Sequence, residues 1–256
     1  MDASLNLGLR GKRALVTGGS RGVGRATALM LARAGADVVI GYQSRHEDAE
    51  VTVAEIRALG VRASAQASDL ATPWGAEILF ERALVDLGGI DLFVGNAGVW
   101  PADDVAIASM AEAQWKRTLD ANLTSLFFTV QLAARHVSDG GRIVLVSSTA
   151  AQRGEAFHAD YAASKGATIS LTKSVAVELA RRGVTVNCVA PGWIDTEMVA
   201  GAMAREGRQR IEAGIPLGRV ASADDVAGPI VFLCSDLARH VTGEVLNVNG
   251  GSVLCG

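Results

Sequence analysis

Tyr161 and Lys165 stand four residues apart in the run Tyr161-Ala162-Ala163-Ser164-Lys165. On an α-helix, residues i and i+4 share a face, so a phenol and an ammonium at this spacing can enter one site. A free phenol, with a pKa of about 10, is a poor acid or base at neutral pH. A neighbouring ammonium favours the phenolate, so the pair predicts a tyrosine whose pKa is drawn down toward working pH. Such a group can protonate a ketone oxygen, or take a proton from an alcohol in the reverse direction. Ser148, expected at the C-terminal end of a strand, is the candidate for holding that oxygen and stabilising developing negative charge. Asn122 interrupts an otherwise apolar helix, where its amide is costly unless it has partners. A surface lysine, a capping serine and a satisfied core asparagine are the ordinary alternatives.

A second constellation, Thr17-Gly18-Gly19-Ser20-Arg21-Gly22-Val23-Gly24, lies between an apolar run and a helical one. Glycines there let the backbone turn tightly and approach a pyrophosphate, whose charge meets the helix N-terminus. The spacing of Gly18, Gly22 and Gly24 is Gly-x-x-x-Gly-x-Gly rather than the Gly-x-Gly-x-x-Gly of the usual dinucleotide fingerprint. Gly18, Ser20, Arg21, Gly22, Val23 and Gly24 are therefore candidate cofactor contacts. An NAD-binding fold carries an acidic residue about 20 positions further on, for the ribose 2′-hydroxyl. Here the second strand ends Tyr42-Gln43-Ser44-Arg45, with no carboxylate until Glu47. With Arg21 and Arg45 nearby, that end should welcome a 2′-phosphate, so NADP(H) is preferred and NAD(H) possible.

The elements that must position these groups alternate along the chain. Apolar, β-branched runs at 13–17, 37–42, 62–67, 91–95, 142–146, 185–190 and 245–248 alternate with Ala- and Leu-rich stretches of helical length, such as 24–34, 48–59 and 76–87. That rhythm predicts an α/β fold, a Rossmann-type doubly wound parallel sheet of about seven strands with helices on both faces. The runs are continuously apolar rather than alternating, as strands covered on both faces should be. No linker or repeat divides residues 1–256, which read as a single dinucleotide-binding and catalytic domain with a substrate-loop excursion at about 195–216. Segment 119–137 is apolar nearly all round, so it is either deeply buried or, preferably, shared with a second subunit.

Of 256 residues, 49% are hydrophobic and 20% charged, and the net charge is −3. Nothing in that balance favours nucleic acid or an anionic membrane. Cys188, Cys234 and Cys255 are too few and scattered for a disulfide framework or a metal site, and read as two buried thiols and one near a mobile end. The start Met1-Asp2-Ala3 has no signal-peptide character and no run is long enough to span a bilayer, so a cytoplasmic location is expected.

Taken together, these motifs resemble the short-chain dehydrogenase/reductase family from about Leu9 onward. Thr17–Gly24 is similar to its cofactor turn and Asn96-Ala97-Gly98 to the motif ending its fourth strand. Asn122, Ser148, Tyr161 and Lys165 fall where its catalytic tetrad stands, and the Ser148-to-Tyr161 interval matches. The resemblance implies that Lys165 hydrogen-bonds the nicotinamide ribose and that Asn122 holds a water relaying protons from the lysine. It implies that Asp69 and Leu70 meet adenine, and that Asn96, Ala97 and Gly98 support the adenosine ribose. Pro191, Gly192, Ile194 and Thr196 are expected at the carboxamide end. Tyr42 stands where members preferring NAD commonly carry Asp. Trp100, Gln152, Phe157 and Trp193, with Ser148, flank the tetrad and are expected to line the substrate pocket; His158 reads as a solvated loop histidine.

Within the family the style is most like 3-oxoacyl-thioester reductases, with carbonyl reductases and sugar or polyol dehydrogenases as the alternative. A non-catalytic dinucleotide sensor is a remote one, since sensors usually lose the tyrosine or lysine. A homotetramer is implied, with the 119–137 helix and the Leu171, Val175, Leu179 side of the helix after Tyr161 as interface. Docking an acidic acyl carrier protein requires basic residues beside the cleft. Asp139 and Val177 stand where such residues are expected, leaving Arg135, Arg181 and Arg182 as partial substitutes.

Overall fold

Seven parallel strands form one sheet in the order β3-β2-β1-β4-β5-β6-β7. The computed structural model describes residues 7–254, so Cys255 and the start Met1-Asp2-Ala3 lie outside the described residues. The strands are β1 (Arg13–Thr17), β2 (Asp37–Tyr42), β3 (Ala63–Ala67), β4 (Ile90–Gly95), β5 (Val137–Val146), β6 (Thr185–Pro191) and β7 (Val245–Val248). β5 begins earlier than its apolar run, because Val137 pairs with Ile90 ahead of a register shift. Parallel neighbours require crossovers, and helices supply them. These are α1 (Gly22–Arg33), α2 (His46–Ala58), α3 (Pro73–Leu87), α4 (Glu112–Leu119), α5 (Ser125–His136), α6 (Ala150–Arg153), α7 (Ala159–Leu179), α8 (Ala200–Glu206), α9 (Arg208–Ala213) and α10 (Ala223–Cys234).

The period-2 geometry of a strand sends alternate residues to opposite faces, and both faces are buried. Val16, Val38, Ile40, Val94 and Val144 pack with Leu29, Ile56 and Ile230 of α1, α2 and α10. Their neighbours Leu15, Val39, Phe93 and Leu145 pack with Phe80, Val130 and Leu179 of α3, α5 and α7. Each such side chain is worth about 1.5–3 kcal/mol when fully buried. Two free thiols, Cys188 and Cys234, are buried in these layers.

The 119–137 segment departs from the expected all-round helix. A π-helical turn, Asp120–Thr124, separates α4 from α5. Leu126, Val130, Leu132 and Ala133 face the chain's own sheet, while Phe127 is 48% exposed. On α7, Val175 and Leu179 are also buried, against that same core, and Leu171 packs on it partly buried. The apolar side chains these helices leave outside include Phe127 and the 78% exposed Val177. The 195–216 excursion forms a short 3₁₀ turn followed by α8 and α9. It carries its own small core of Met203, Ile211, Ile215 and Val220, with Trp193 and Val199 against it.

Strand order reverses at β1, whose two neighbours β2 and β4 lead in opposite directions, and such a reversal leaves a crevice at the C-terminal strand ends. Hydrogen bonds brace it. Thr17 Oγ1 accepts from the backbone N–H groups of Asn96 (2.9 Å) and Ala97 (3.0 Å). Asn96 Nδ2 returns bonds to the carbonyls of Thr17 (3.0 Å) and Gly18 (3.3 Å). Gly18 turns the chain at φ +66°, and α1 comes so close behind that a Cβ on Gly24 would run into the Gly18 carbonyl. Gly24→Ala is therefore expected to destabilise the protein by about 1–3 kcal/mol. The check is a lowered urea midpoint at unchanged m-value. A loss below about 0.5 kcal/mol, the range of innocuous surface changes, would show that α1 can withdraw freely.

Candidate active site

A cavity of about 910 Å³ runs across the C-terminal ends of β1, β2, β4, β5 and β6. Its wall takes Gly18, Ser20, Arg21, Gly22 and Val23 from the first turn, Tyr42, Gln43, Ser44 and Arg45 from the end of β2, and Asp69 and Leu70 after β3. Asn96, Ala97 and Gly98 follow β4; Pro191 ends β6, with Gly192, Ile194 and Thr196 after it; Ser148, Tyr161 and Lys165 also belong to it. Gly24 and Asn122 are not in the wall. Gly24 supports the turn from behind. α1 starts without a side-chain cap and without an acidic residue in its first turn. Its first backbone N–H groups are thus free of side-chain competitors at the cavity's edge, the arrangement that suits a pyrophosphate.

α7 carries Tyr161 and Lys165 on one face and is locked to β5. Lys165 Nζ donates to the Val146 carbonyl (2.9 Å), while Ser147 Oγ donates to the Lys165 carbonyl (2.8 Å). At its start, buried Asp160 accepts from Thr118 Oγ1 (2.7 Å) and from the Tyr161 backbone N–H (2.9 Å). Asp160 carries no motif, and no sequence signal marks it as an anchor. Asn122 sits in the π turn and is 1% exposed. Its Oδ1 accepts from Val99 N–H (2.7 Å), and Nδ2 donates to the Val99 carbonyl (3.0 Å) and Ser164 Oγ (3.2 Å). Both amide hydrogens are thereby used to tie the 96–99 segment to α7.

The electrostatics reverse the expectation for the tyrosine. Burial pushes the Tyr161 phenol up to about 12; the Ser148 hydroxyl, hydrogen-bonded to it, only partly offsets this, and Glu155 adds to it. Burial also pulls Lys165 down to about 8. Its Nζ lies 5.9 Å from the Tyr161 ring centre and is spent on a backbone carbonyl. Desolvation disfavours both charged forms and is the largest effect on each group. The site holds a protonated phenol beside an amine that titrates near neutrality.

The four remaining pocket candidates lie outside the cavity wall. Trp100 stacks edge-on to Tyr161, ring centres 4.7 Å apart, and to His158 at 4.1 Å. Gln152 Nε2 donates to Asn247 Oδ1 (2.7 Å). Phe157 is 55% exposed with φ +66°, and Trp193 packs on the small core of the excursion. His158 corrects the solvated-loop reading: it stands at the N-cap position of α7, without a side-chain capping bond, and is 4% exposed. Its Nε2 faces Asp104 at 3.2 Å. Trp100 Nε1, Gln152 Oε1 and His158 Nδ1 are buried without a partner.

At the other end, the strand end read as free of carboxylates receives one from far along the chain. Glu197 Oε2 accepts from Arg21 Nη1 (2.8 Å) and Arg45 Nη2 (3.4 Å). The two guanidiniums thus converge on one anionic oxygen, as a phosphate would require. Tyr42 Oη is hydrogen-bonded to His46 Nδ1 (2.8 Å). Among the described residues no helix is long and apolar enough to cross a membrane.

A family model described as enoyl-(acyl carrier protein) reductase matches residues 18–252. The L-rhamnose 1-dehydrogenase (NAD(P)(+)) of Sphingomonas sp. strain SKA58 is 42% identical over 247 residues, covering 95% of this chain and 96% of that one. The 3-oxoacyl-(acyl-carrier-protein) reductase of Aquifex aeolicus is 39% identical over 249 residues, covering 96% and 99%. A short chain dehydrogenase from Burkholderia cenocepacia, solved in complex with NADP, superposes with a TM-score of 0.89 at 40% identity, covering 95% and 98%.

Replacing Tyr42 by Phe leaves Tyr161 as the one phenol of the chain's two. Its absorbance titration at 295 nm should then show a midpoint at about 12 in protein without dinucleotide. A midpoint below the free-phenol value of about 10 would mean that the Lys165 charge outweighs burial.

Proposed function

The chain belongs to the short-chain dehydrogenase/reductase family, and within it we propose that this protein is an NADP(H)-dependent oxidoreductase interconverting a ketone and a secondary alcohol. The observation that carries the reading is that Ser148, Tyr161 and Lys165 meet in one wall of a cavity that also takes in the Arg21–Arg45 pair. The bare start of α1 and the glycine turn suit the pyrophosphate; the arginine pair suits a 2′-phosphate. Bound nicotinamide supplies or accepts the hydride.

The chain's own residues manage the proton and the oxygen. Ser148 Oγ holds the substrate oxygen and stabilises charge developing on it. Tyr161, kept protonated by burial, gives its proton to that oxygen in the reductive direction. Lys165, poised near 8, is the neighbouring group suited to restoring it. Asn122 positions both, through Ser164 on α7 and through the Val99 backbone. We place the whole reaction in one catalytic domain, with the 195–216 excursion as substrate loop.

The substrate class we favour is a 3-oxoacyl thioester taken without strong dependence on a carrier protein. Arg182, one of the possible docking cations, is engaged by Asp139 (2.8 Å) and by the Ala134 and Val137 carbonyls. Val177 is apolar and exposed where a docking cation would be needed. A sugar or polyol dehydrogenase is the second reading. Trp100 beside Tyr161 and His158 beside Trp100 each keep an unpartnered ring nitrogen, polar groups that suit a hydroxylated substrate better than an acyl chain. The similarity to an enzyme named L-rhamnose 1-dehydrogenase agrees. The presence of all four tetrad residues speaks against a non-catalytic sensor. Exposed Phe127 and Val177 support a homotetramer, and the two buried free thiols suit the reducing cytoplasm.

Turnover with NADPH should be measured on one 3-oxoacyl group as a short thioester and on the carrier protein, and with NADP⁺ on aldoses. Tyr161→Phe is expected to lower kcat about 10²–10⁴-fold on whichever substrate is turned over, without loss of dinucleotide binding. Retention of more than about a tenth of the activity would remove Tyr161 from its role. A carrier-bound substrate better by about a hundredfold would overturn carrier independence, being worth about 2.7 kcal/mol of docking. Tyr42→Asp is expected to shift kcat/KM toward NAD(H), because a carboxylate there accepts from the ribose 2′-hydroxyl and repels a 2′-phosphate. An unchanged cofactor ratio would show that the end of β2 does not contact the ribose.

A further inference from the structure

We infer that Glu197 is an internal competitor for the cofactor's 2′-phosphate, and that phosphate arrival therefore also unpins the first turn of the substrate loop. The inference rests on the NADP(H) reading above. Nothing local to the glycine turn or to the end of β2 supplies an anion to Arg21. The carboxylate comes instead from the turn Glu197–Val199, which leads into α8.

The geometry is that of a small anion site already filled. One oxygen, Glu197 Oε2, accepts from two guanidiniums belonging to different elements, Arg21 Nη1 at 2.8 Å and Arg45 Nη2 at 3.4 Å. The other contact of this cluster is between Arg45 Nη1 and Asp48 at 3.9 Å. All these side chains are between 45% and 66% exposed, so the carboxylate can leave without a cavity or a buried charge being left behind. A phosphate offers three acceptor oxygens and up to two charges, matching the paired guanidiniums better than one carboxylate oxygen does. It cannot share the site, since two anions at that separation repel.

Displacement has a mechanical consequence. Thr196, the residue before Glu197, lies against the phosphate turn: a Cβ on Gly22 would sit 3.6 Å from Thr196 Cγ2. While Glu197 is paired, the start of the loop is drawn over the N-terminus of α1. NAD(H), lacking the 2′-phosphate, leaves those ion pairs intact; NADP(H) must break them. Glu197 accordingly taxes NADP(H) alone and narrows the gap between the two cofactors.

The test compares wild type with Glu197→Gln by calorimetric titration of NADPH, NADH, adenosine 2′,5′-bisphosphate and ADP. The last two carry no nicotinamide and isolate the phosphate site. Two exposed ion pairs correspond to roughly a three- to tenfold effect. Glu197→Gln should tighten NADPH and adenosine 2′,5′-bisphosphate by that factor and leave NADH and ADP within about twofold. Unchanged affinity for the bisphosphate, or equal tightening of NADPH and NADH, would overturn the inference, the latter by showing a general effect on loop closure. Arg21→Ala and Arg45→Ala separate the two levels of the argument. If they fail to weaken NADPH relative to NADH, the phosphate assignment itself falls, whatever Glu197 does.

Discussion

The bracket between Thr17 and Asn96 is the interaction on which the rest of the site depends. β1 and β4 are neighbours at the point where strand order reverses, and their C-terminal ends open into a crevice rather than continuing into a covering helix. Backbone groups exposed there need partners. Thr17 Oγ1 and the Asn96 amide provide them reciprocally, which fixes the glycine turn against the 96–99 segment. That segment continues the brace. A Cβ on Gly98 would meet both Asn122 Oδ1 and Lys165 Nζ, and Asn122 in turn joins Val99 to Ser164. A chain of short contacts thus runs from the glycine turn to α7.

Burial decides the protonation states within that frame. Placing a phenol and an amine in a desolvated wall pushes each toward its neutral form, so their pKa values move toward a phenol donor and a near-neutral amine. The lysine's charge is not free to act at a distance, because its three donors are partly used by the Val146 carbonyl. Its effect on the tyrosine is therefore smaller than spacing along a helix suggests.

Charge dominates the opposite end of the cavity, where water screens every pair. Arg21, Arg45 and Glu197 join the glycine turn, the end of β2 and the start of the 195–216 excursion through exposed contacts. Further along the loop, Arg205 of α8 donates to the Ala102 carbonyl (2.8 Å) and faces Asp104 at 3.6 Å, the carboxylate that also faces His158. Arg208 holds Asp195 (2.7 Å) and Glu212 (2.9 Å) within the loop. The loop is thus held to the body by solvent-screened ion pairs, each worth little, and by backbone bonds at its two ends, Asp195 N–H to the Ala221 carbonyl (2.8 Å) and Leu217 N–H to the Gly250 carbonyl (3.0 Å).

The order of strands and helices, the two-sided burial and the glycine turn were legible in the sequence, because each rests on local signals: apolar runs, helical period and turn chemistry. That Tyr161 and Lys165 share a face of α7 was legible for the same reason, and the structure brings Ser148 into the same cavity wall. What a side chain touches across the fold was not. Asp160 anchors α7 through Thr118, His158 is buried beneath Trp100, and Leu171, Val175 and Leu179 turn inward; each depends on elements that meet only after folding. The raised Tyr161 pKa belongs with these, since desolvation is a property of the packed surroundings and not of the nearest charge in the sequence. Glu197 completes the case: a carboxylate 176 positions from Arg21 is beyond any local pattern. The sequence by itself determined the fold and marked Ser148, Tyr161 and Lys165 as candidate reacting groups, through local signals of strand, helix and turn. Tertiary structure alone decided their protonation and their ionic partners, because dielectric and distance exist only once the layers have closed.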